Sequence, residues 1–332
     1  MLYLAKFPTF YSLPISLALA FTVWGLYFWL HGRSSKKPMG WYVAGSLCMA
    51  LVVACRPQFI VFSFVAFPLF WRRFIAERHL FTPQGAREFL CLIAPYAIVA
   101  AAIMWYNKAR FGSLTDFGAN YNLTVNDMTQ RGMNAGRFLP ALFAYFIQTP
   151  STTGVFPWIQ PVQFDTTYLG QTIKEVTFGG IFACLPVLWA LFFAKPILAY
   201  RFKQRSTRTI AGVVFVMLAS GVIVACLDAQ MAGILQRYTA DYTILFLIPA
   251  VLLLFIANDA LGGSSVGLRS EGREGVLSTQ RAHRLFLRVV QVVVCLSLLY
   301  STLVCFIPET GWYSDVYAWA YQDLIETVEF WT

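Results

Sequence analysis

The sequence predicts an all-α, polytopic helical membrane protein with about eight spans and one large outer loop that contains short interfacial helices. Of the 332 residues, 58% are hydrophobic and only 12% are charged, whereas roughly a quarter of a soluble domain is charged. Several windows of 17 to 20 residues are almost free of charge, as membrane-spanning helices are. We therefore treat residues 1–332 as a single membrane domain.

The first predicted span covers residues 11–30, and the basic segment 31–40 follows it. Short cytoplasmic loops carry an excess of lysine and arginine. We therefore expect 31–40 to be cytoplasmic and the N-terminus to lie outside.

The next apolar stretch, 41–71, is 31 residues long and carries one charge, Arg56, which Pro57 follows. A single helix of that length would measure about 46 Å, too long for a hydrocarbon core of about 30 Å. Proline also disfavours a helical conformation at the preceding residue. The alternative is two short spans, 41–55 and 57–71, that turn at Arg56.

Charge counting favours the two-span alternative. It places 17 of the 25 lysines and arginines in the inner loops, whereas a single span would leave only 9 inside. The predicted cytoplasmic loops are 31–40, 72–87, 195–208 and 258–288, and the remaining spans are 89–106, 178–194, 209–227, 241–257 and 289–307. Both termini of this multi-pass cell-membrane protein are expected outside, where the acidic tail 308–332 has no lysine or arginine.

The basic net charge of +9 is largely explained by this topology, so no nucleic-acid partner is predicted. All seven cysteines lie in or at the ends of apolar runs, and the three histidines lie in short basic segments. No metal site is predicted from that distribution. The sequence also lacks a Walker loop and a Rossmann glycine pattern, so no cofactor is predicted.

Arg56 is the sharpest candidate for a functional residue. Flanking helices of 15 residues measure about 22 Å each, so the turn should lie below the outer membrane surface. An arginine at such depth costs on the order of 2.5–3.5 kcal/mol and is usually paired or functional. Arg56 either binds a lipid-linked phosphate, for which guanidinium has matching geometry, extends to lipid head groups, or pairs with Asp228 or Asp241.

Further charges are expected at the same outer face. Asp228 ends one span, and about a dozen residues later Arg237, Tyr238 and Asp241 open the next. These residues are predicted to contact a lipid phosphate or, alternatively, to anchor the helix at the interface, with Tyr238 and Tyr242 in the aromatic belt.

The outer loop, 107–177, supplies the remaining candidates. Arg110 closely follows a span and is a candidate phosphate contact, whereas acids in the loop could orient a hydroxyl or bind a sugar. The candidate acceptor or sugar contacts are Asp116, Asn120, Tyr121, Asp165 and Asp241. The apolar segment 138–147 is too short to span and suits an interfacial helix that caps a cavity, as does Phe156-Pro157-Trp158.

Three ordered segments carry a family resemblance across roughly residues 11–257. They are Ala44-Gly45-Ser46-Leu47-Cys48-Met49-Ala50-Leu51 followed by Arg56-Pro57, Tyr106-Asn107-Lys108-Ala109-Arg110-Phe111-Gly112-Ser113, and Arg237-Tyr238. Together they resemble the polyprenol-phosphate-dependent membrane glycosyltransferases of the C superfamily, the mannosyltransferase and aminoarabinose-transferase relatives.

The resemblance implies transfer of a sugar from a polyprenol-phosphate donor to an envelope acceptor on the outer face. Arg56 and Arg237 would contact the donor phosphate, and membrane lipids and the lipid-linked sugar would be the partners. In that family an acid in the first outer loop activates the acceptor, but residues 1–10 contain none.

A truncated product, a separately encoded N-terminal partner and a loss of catalysis are the three explanations of that missing acid. The alternative function is that of a non-enzymatic polytopic protein that transports or scaffolds a lipid-linked envelope precursor.

Overall fold

The computed structural model describes residues 4, 6, 12–118, 133–168, 171–201, 205–230, 233–267, 273–307, 323 and 326–328. Most of these residues are helical. The helices are α1 (Ser12–Ser34), α2 (Met39–Cys55), α3 (Pro57–Ala76), α4 (Pro83–Phe111), α5 (Ala135–Ile147), α6 (Ile181–Cys184), α7 (Pro186–Ala199), α8 (Arg205–Ala229), α9 (Gln236–Gly267) and α10 (Arg273–Cys305).

Six helices of the described chain are long and apolar enough to cross a membrane: α1, α3, α4, α8, α9 and α10. The multi-pass helical character is therefore as the sequence predicts. Helices α2 and α7, which correspond to two further predicted spans, are apolar but shorter. The total of about eight spans consequently stays a prediction.

The predicted span 178–194 is not one continuous helix. Helix α6 ends at Cys184, and Leu185 has non-helical backbone angles (φ −127°, ψ 76°) before α7 begins at Pro186. Proline restricts the residue before it to extended conformations and has no N–H to donate. The effect invoked for Arg56 and Pro57 thus recurs at Leu185 and Pro186, where the sequence analysis did not apply it.

The chain reverses direction at Arg56, which confirms the predicted turn. Arg56 is extended (φ −152°, ψ 119°) between α2 and α3. Tyr42, near the start of α2, packs edge-on against Phe70, near the end of α3, with 5.2 Å between ring centroids. Since Arg56 lies midway between these two residues, α2 and α3 form an antiparallel hairpin with Arg56 at its tip.

Helices α1 and α2 approach closely through small residues. A Cβ atom added at Gly25 would lie 3.2 Å from the carbonyl oxygen of Gly45, and one added at Gly45 would lie 3.0 Å from that of Gly25. Trp29 then donates a 3.1 Å hydrogen bond from Nε1 to the Ser46 hydroxyl. Small residues at such crossings let helix backbones pack tightly in membranes.

Helix α3 is irregular and is held by polar side chains from two neighbours. It starts as a 3₁₀ helix, Pro57–Val65, and ends in a π turn, Arg72–Ala76. The Tyr96 hydroxyl of α4 donates to the Ser63 hydroxyl at 2.7 Å. The Ser220 hydroxyl of α8 donates to the Val61 carbonyl at 3.1 Å. Both contacts fix the N-terminal half of α3, which follows Arg56 in the chain.

The predicted outer loop contains strands as well as a short helix, in a chain that is otherwise mostly helical, as predicted. After α5, two antiparallel hairpins follow: β1 (Ser151–Thr152) with β2 (Ile159–Gln160), and β3 (Val162–Tyr168) with β4 (Gln171–Thr177). The last two segments are rich in threonine, valine, tyrosine and phenylalanine. β-branched and aromatic residues favour strands, a local signal that the hydropathy windows do not register.

Candidate functional site

Arg56 forms a buried ion pair at the tip of the α2–α3 hairpin. Its Nη1 atom donates to Oδ2 of Asp241 on α9, and the two side chains are 16% and 0% exposed. Its guanidinium also lies 6.0 Å from the ring centroid of Phe59. Of the open alternatives for Arg56, pairing with Asp241 is observed. A guanidinium has five N–H donors, so this pairing leaves donors for a further anion.

A second carboxylate, Asp228, is buried beside this pair. Asp228 lies at the end of α8 and is 0% exposed, and it interacts electrostatically with Asp241 and Arg56. The side chain of Gln58 is near enough to act on this carboxylate, but its geometry does not complete a hydrogen bond. We refer to Arg56, Asp228 and Asp241 as the Arg56 cluster.

The Arg56 cluster contains buried carboxylate oxygens that Arg56 does not reach. Among the described residues, both carboxylate oxygens of Asp228 and Oδ1 of Asp241 are buried without a hydrogen-bond partner. Buried polar atoms are nearly always paired, so exceptions of this kind indicate strain or function. Arg56 is hydrogen-bonded to Asp241 and acts on Asp228 through its charge, so a group that donates hydrogen bonds would complete the site.

Arg237 and Tyr238 lie next to the cluster, as predicted. The guanidinium carbon of Arg237 is 5.4 Å from the ring centroid of Tyr238, and the charge of Arg237 acts on Asp241. Tyr238 and Tyr242 are only 7% and 0% exposed. The alternative that these two tyrosines form an interfacial aromatic belt is therefore wrong, because such a belt requires contact with lipid head groups.

Helix α5 packs over the link between α8 and α9, close to the cluster. The backbone N–H of Asn134 donates to the Gln230 side chain at 2.8 Å, and the Tyr145 hydroxyl donates to the Gly233 carbonyl at 3.3 Å. Phe146 packs on Tyr242, with 5.5 Å between ring centroids. These contacts attach the outer loop to the helix ends that carry Asp228 and Asp241.

The exposed side of α5 fits the predicted interfacial helix. Leu139, Phe143 and Ile147 recur every four residues and are 75%, 51% and 64% exposed. Residues four apart lie on one face of a helix, so α5 presents an apolar stripe away from the protein. Phe156 instead packs against Phe306 at the end of α10, with 5.6 Å between centroids, and does not contribute to this cover.

The remaining candidates are not joined to the cluster by the described contacts. Arg110 donates to the Tyr106 hydroxyl at 2.7 Å, within its own helix. Asp116 accepts a 2.8 Å hydrogen bond from the Gly118 backbone, within a local turn. Asp165 lies in β3 opposite Lys174, and its side chain is outside what the structure describes. Asn120 and Tyr121 also lie outside the described residues.

Two polar residues near these elements were not singled out from the sequence. Gln58 follows Arg56 by two positions, and Arg137 is only 8% exposed although it belongs to the outer loop. The closeness of Gln58 to Arg56 in the chain was an available signal, whereas the burial of Arg137 depends on the packing of α5. In the part of the chain that the structure describes, no three histidine, cysteine or acidic side chains come together as metal ligands.

Comparison of the chain with models of known protein families, with curated proteins and with solved structures finds no match.

Proposed function

We propose that the chain is a membrane glycosyltransferase that moves a sugar from a polyprenol-phosphate donor to an envelope acceptor on the outer face. The observation that carries this proposal is the Arg56 cluster. It combines an arginine already fixed in direction by Asp241 with a second carboxylate, Asp228, whose oxygens have no hydrogen-bond partner among the described residues.

Arg56 and Arg237 hold the donor phosphate in this proposal. The ion pair with Asp241 orients the guanidinium, and the N–H groups that Asp241 does not use are available to phosphate oxygens. As the sugar–phosphate bond breaks, its electron pair passes to the phosphate oxygen, and the arginine charges stabilise the developing anion. Such preorganised charge is effective because the cluster is largely excluded from water.

Asp228 accepts the proton of the acceptor hydroxyl in this proposal. The hydroxyl oxygen forms the new bond to the anomeric carbon while its proton passes to a carboxylate oxygen of Asp228. Both of those oxygens lack a hydrogen-bond partner among the described residues. Asp228 would thus serve where the resembled family uses an acid of its first outer loop.

The non-enzymatic alternative also has an observation in its favour. Arg56 is already paired, and intramembrane acid–base clusters line the pathways of transporters as well as enzyme sites. A protein that transports or scaffolds a lipid-linked precursor would need phosphate binding but no proton acceptor. Loss of Asp228 should therefore abolish the function of an enzyme but not that of a transporter or scaffold.

Binding of polyprenyl phosphate to the full chain in nanodiscs, followed by native mass spectrometry, tests the role of Arg56. Arg56→Gln alone would leave Asp241 buried and unpaired, so the informative variant is Arg56→Gln combined with Asp241→Asn. We expect this variant to melt near the wild-type temperature and to bind polyprenyl phosphate at least about tenfold more weakly. Arg87→Gln, an exposed arginine elsewhere in the chain, is the matched control and should bind normally.

Release of polyprenyl phosphate from polyprenyl phosphomannose and polyprenyl phosphoaminoarabinose, in the presence of envelope membranes, tests the role of Asp228. We expect Asp228→Asn to retain phosphate binding and to lose release of the lipid carrier. Unchanged binding in the Arg56/Asp241 double variant would remove the proposed donor site. Normal binding without release by the wild-type chain would favour the transport or scaffolding alternative.

A further inference from the structure

A basic pocket lies at the end of the bundle opposite Arg56. Because α2 and α3 form a hairpin with Arg56 at its tip, the open ends of these helices meet at the other end of the bundle. There the C-terminal end of α1 and the π turn of α3 enclose a cavity of about 210 Å³ lined by Arg33, Arg72, Arg73 and Glu77. We call this cavity the Arg33 pocket.

Two of the three arginines in the pocket have acidic partners. Arg73 donates two hydrogen bonds of 3.0 and 3.1 Å to Glu88, which is buried in α4 and also contacts His79 at 3.2 Å. Arg72 pairs with Glu77 at 2.8 Å, and both of these side chains are about half exposed. The Arg73–Glu88 pair is therefore held in place at one side of the pocket. An exposed pair such as Arg72–Glu77 is weak and can exchange partners.

Arg33 is the arginine whose charge is not compensated. No acid pairs with it among the described residues, and its side chain is half-buried, so water screens its charge incompletely. Arg72 and Arg73 add further positive potential from the facing turn. The three arginines exceed the two acids that pair with them, Glu77 and Glu88, by one positive charge, which an anion in the cavity would balance.

We infer that the Arg33 pocket binds a phosphate group, and that an anionic phospholipid of the surrounding leaflet supplies it. Guanidinium groups bind phosphate oxygens through paired, charge-assisted hydrogen bonds. Basic pockets between membrane helices bind anionic lipid head groups in this way. This site is separate from the Arg56 cluster and does not depend on the proposed function.

The surfaces beside the pocket favour a lipid as the source of the phosphate. Leu30 on α1, and Trp71 and Ile75 on α3, are 50%, 57% and 43% exposed. These apolar side chains precede or flank the arginines in sequence and suit contact with acyl chains, and exposed tryptophan is typical of the membrane interface. A phosphate seated among the arginines could therefore keep its acyl chains along α1 and α3.

The test uses the full chain in phosphatidylcholine nanodiscs with and without phosphatidylglycerol, with bound lipid counted by native mass spectrometry. We expect the wild-type chain to retain phosphatidylglycerol and the Arg33→Gln/Arg72→Gln variant to bind it about tenfold more weakly. Arg87→Gln removes an exposed arginine that does not line the pocket and should bind as the wild type does. Arg33→Lys keeps the charge and serves as a folding control with partial binding.

Inorganic phosphate, added to detergent-solubilised protein, distinguishes the two sources of the anion. Binding of inorganic phosphate that is lost in the double variant, without selective retention of phosphatidylglycerol, would support the pocket but assign it to a free phosphate. Equal losses of phosphatidylglycerol in the double variant and in Arg87→Gln would overturn the inference, because diffuse surface charge would then explain the binding. Unchanged retention in a folded double variant would overturn it as well.

Discussion

At the scale of single residues, the ion pair of Arg56 with Asp241 combines a structural and a proposed functional role. An ion pair that is almost completely buried contributes little net stability, but removal of one partner leaves an uncompensated charge. The exposed fractions of 16% for Arg56 and 0% for Asp241 place the pair in this class. The two roles can be separated because stability depends on the balance of charge, whereas the proposed phosphate binding would need the guanidinium itself.

Arg56→Gln should therefore lower the free energy of unfolding by about 3 kcal/mol, because the buried Asp241 loses the arginine that is hydrogen-bonded to it. Thermal unfolding in detergent measures the change. Adding Asp241→Asn should recover most of the loss. If the double variant is no more stable than Arg56→Gln, the destabilisation does not come from the buried carboxylate.

Glu88 is the corresponding buried acid at the opposite end. It is 0% exposed and accepts hydrogen bonds from Arg73 and Gln84, with His79 also within 3.2 Å. Glu88→Ala should lower the free energy of unfolding by about 3 kcal/mol, because Arg73 and its neighbours lose their acceptor. Glu77→Ala is the control, since its pair with Arg72 is about half exposed and should be worth less than about 1 kcal/mol. Similar melting temperatures for both variants would contradict this assignment.

At the scale of helices, the α1–α2 contact depends on two glycines that face each other. A Cβ atom added to either glycine would lie 3.0 to 3.2 Å from the carbonyl oxygen of the other, which leaves no room for a side chain. At Gly45 an added Cβ atom would also lie 2.8 Å from Nε1 of Trp29, whose hydrogen bond to Ser46 joins the helices. The close crossing and this hydrogen bond should be lost together.

Gly45→Ala should consequently reduce the free energy of unfolding by about 1–3 kcal/mol, the usual cost of overpacking a tight contact. Gly40→Ala is the matched control in the same helix, because nothing lies within 4 Å of an added Cβ atom there. Thermal unfolding of both variants in the same detergent gives the comparison. If Gly45→Ala is as stable as Gly40→Ala, then α1 and α2 can move apart at no cost in stability, which contradicts the prediction.

At the scale of the whole molecule, the Arg33 pocket and the Arg56 cluster lie at opposite ends of the helix bundle. The basic segments 31–40 and 72–87 meet at the Arg33 pocket. Helix α4 then spans 29 residues, about 43 Å, and delivers the chain to the end where the outer loop begins. These two ends should face opposite sides of a bilayer.

Labelling of single cysteines in a background without the native seven tests this arrangement in intact cells. Cysteines at Lys37 and Arg87 should react from the cytoplasmic side, and cysteines at Thr115 and Gly154 from the outer side, since all four positions are exposed. A membrane-impermeant maleimide distinguishes the sides. If the cysteines that replace Lys37 and Arg87 react from outside instead, the topology is the reverse of the predicted one. The Arg56 cluster then lies at the cytoplasmic face.

The sequence by itself determined the features that depend on local chemistry. Apolar runs of sufficient length predict helices because an unpaired backbone is too costly in lipid. Pro57 predicts the turn at Arg56 because a proline constrains the residue before it. The concentration of charge near residues 228–241 likewise predicts a cluster, since a short link brings the ends of adjacent spans together.

Only the tertiary structure decided which partner Arg56 takes, how α6 and α7 divide, and where Arg33 meets Arg72 and Arg73. Arg56 and Asp241 are separated by 185 positions, and hydropathy carries no information about contacts at that distance. The sequence offered Asp228 and Asp241 equally, yet packing of α8 and α9 against the hairpin gives the hydrogen bond to Asp241 and leaves both oxygens of Asp228 unpartnered among the described residues. That imbalance exists because the folded helices exclude water from both carboxylates.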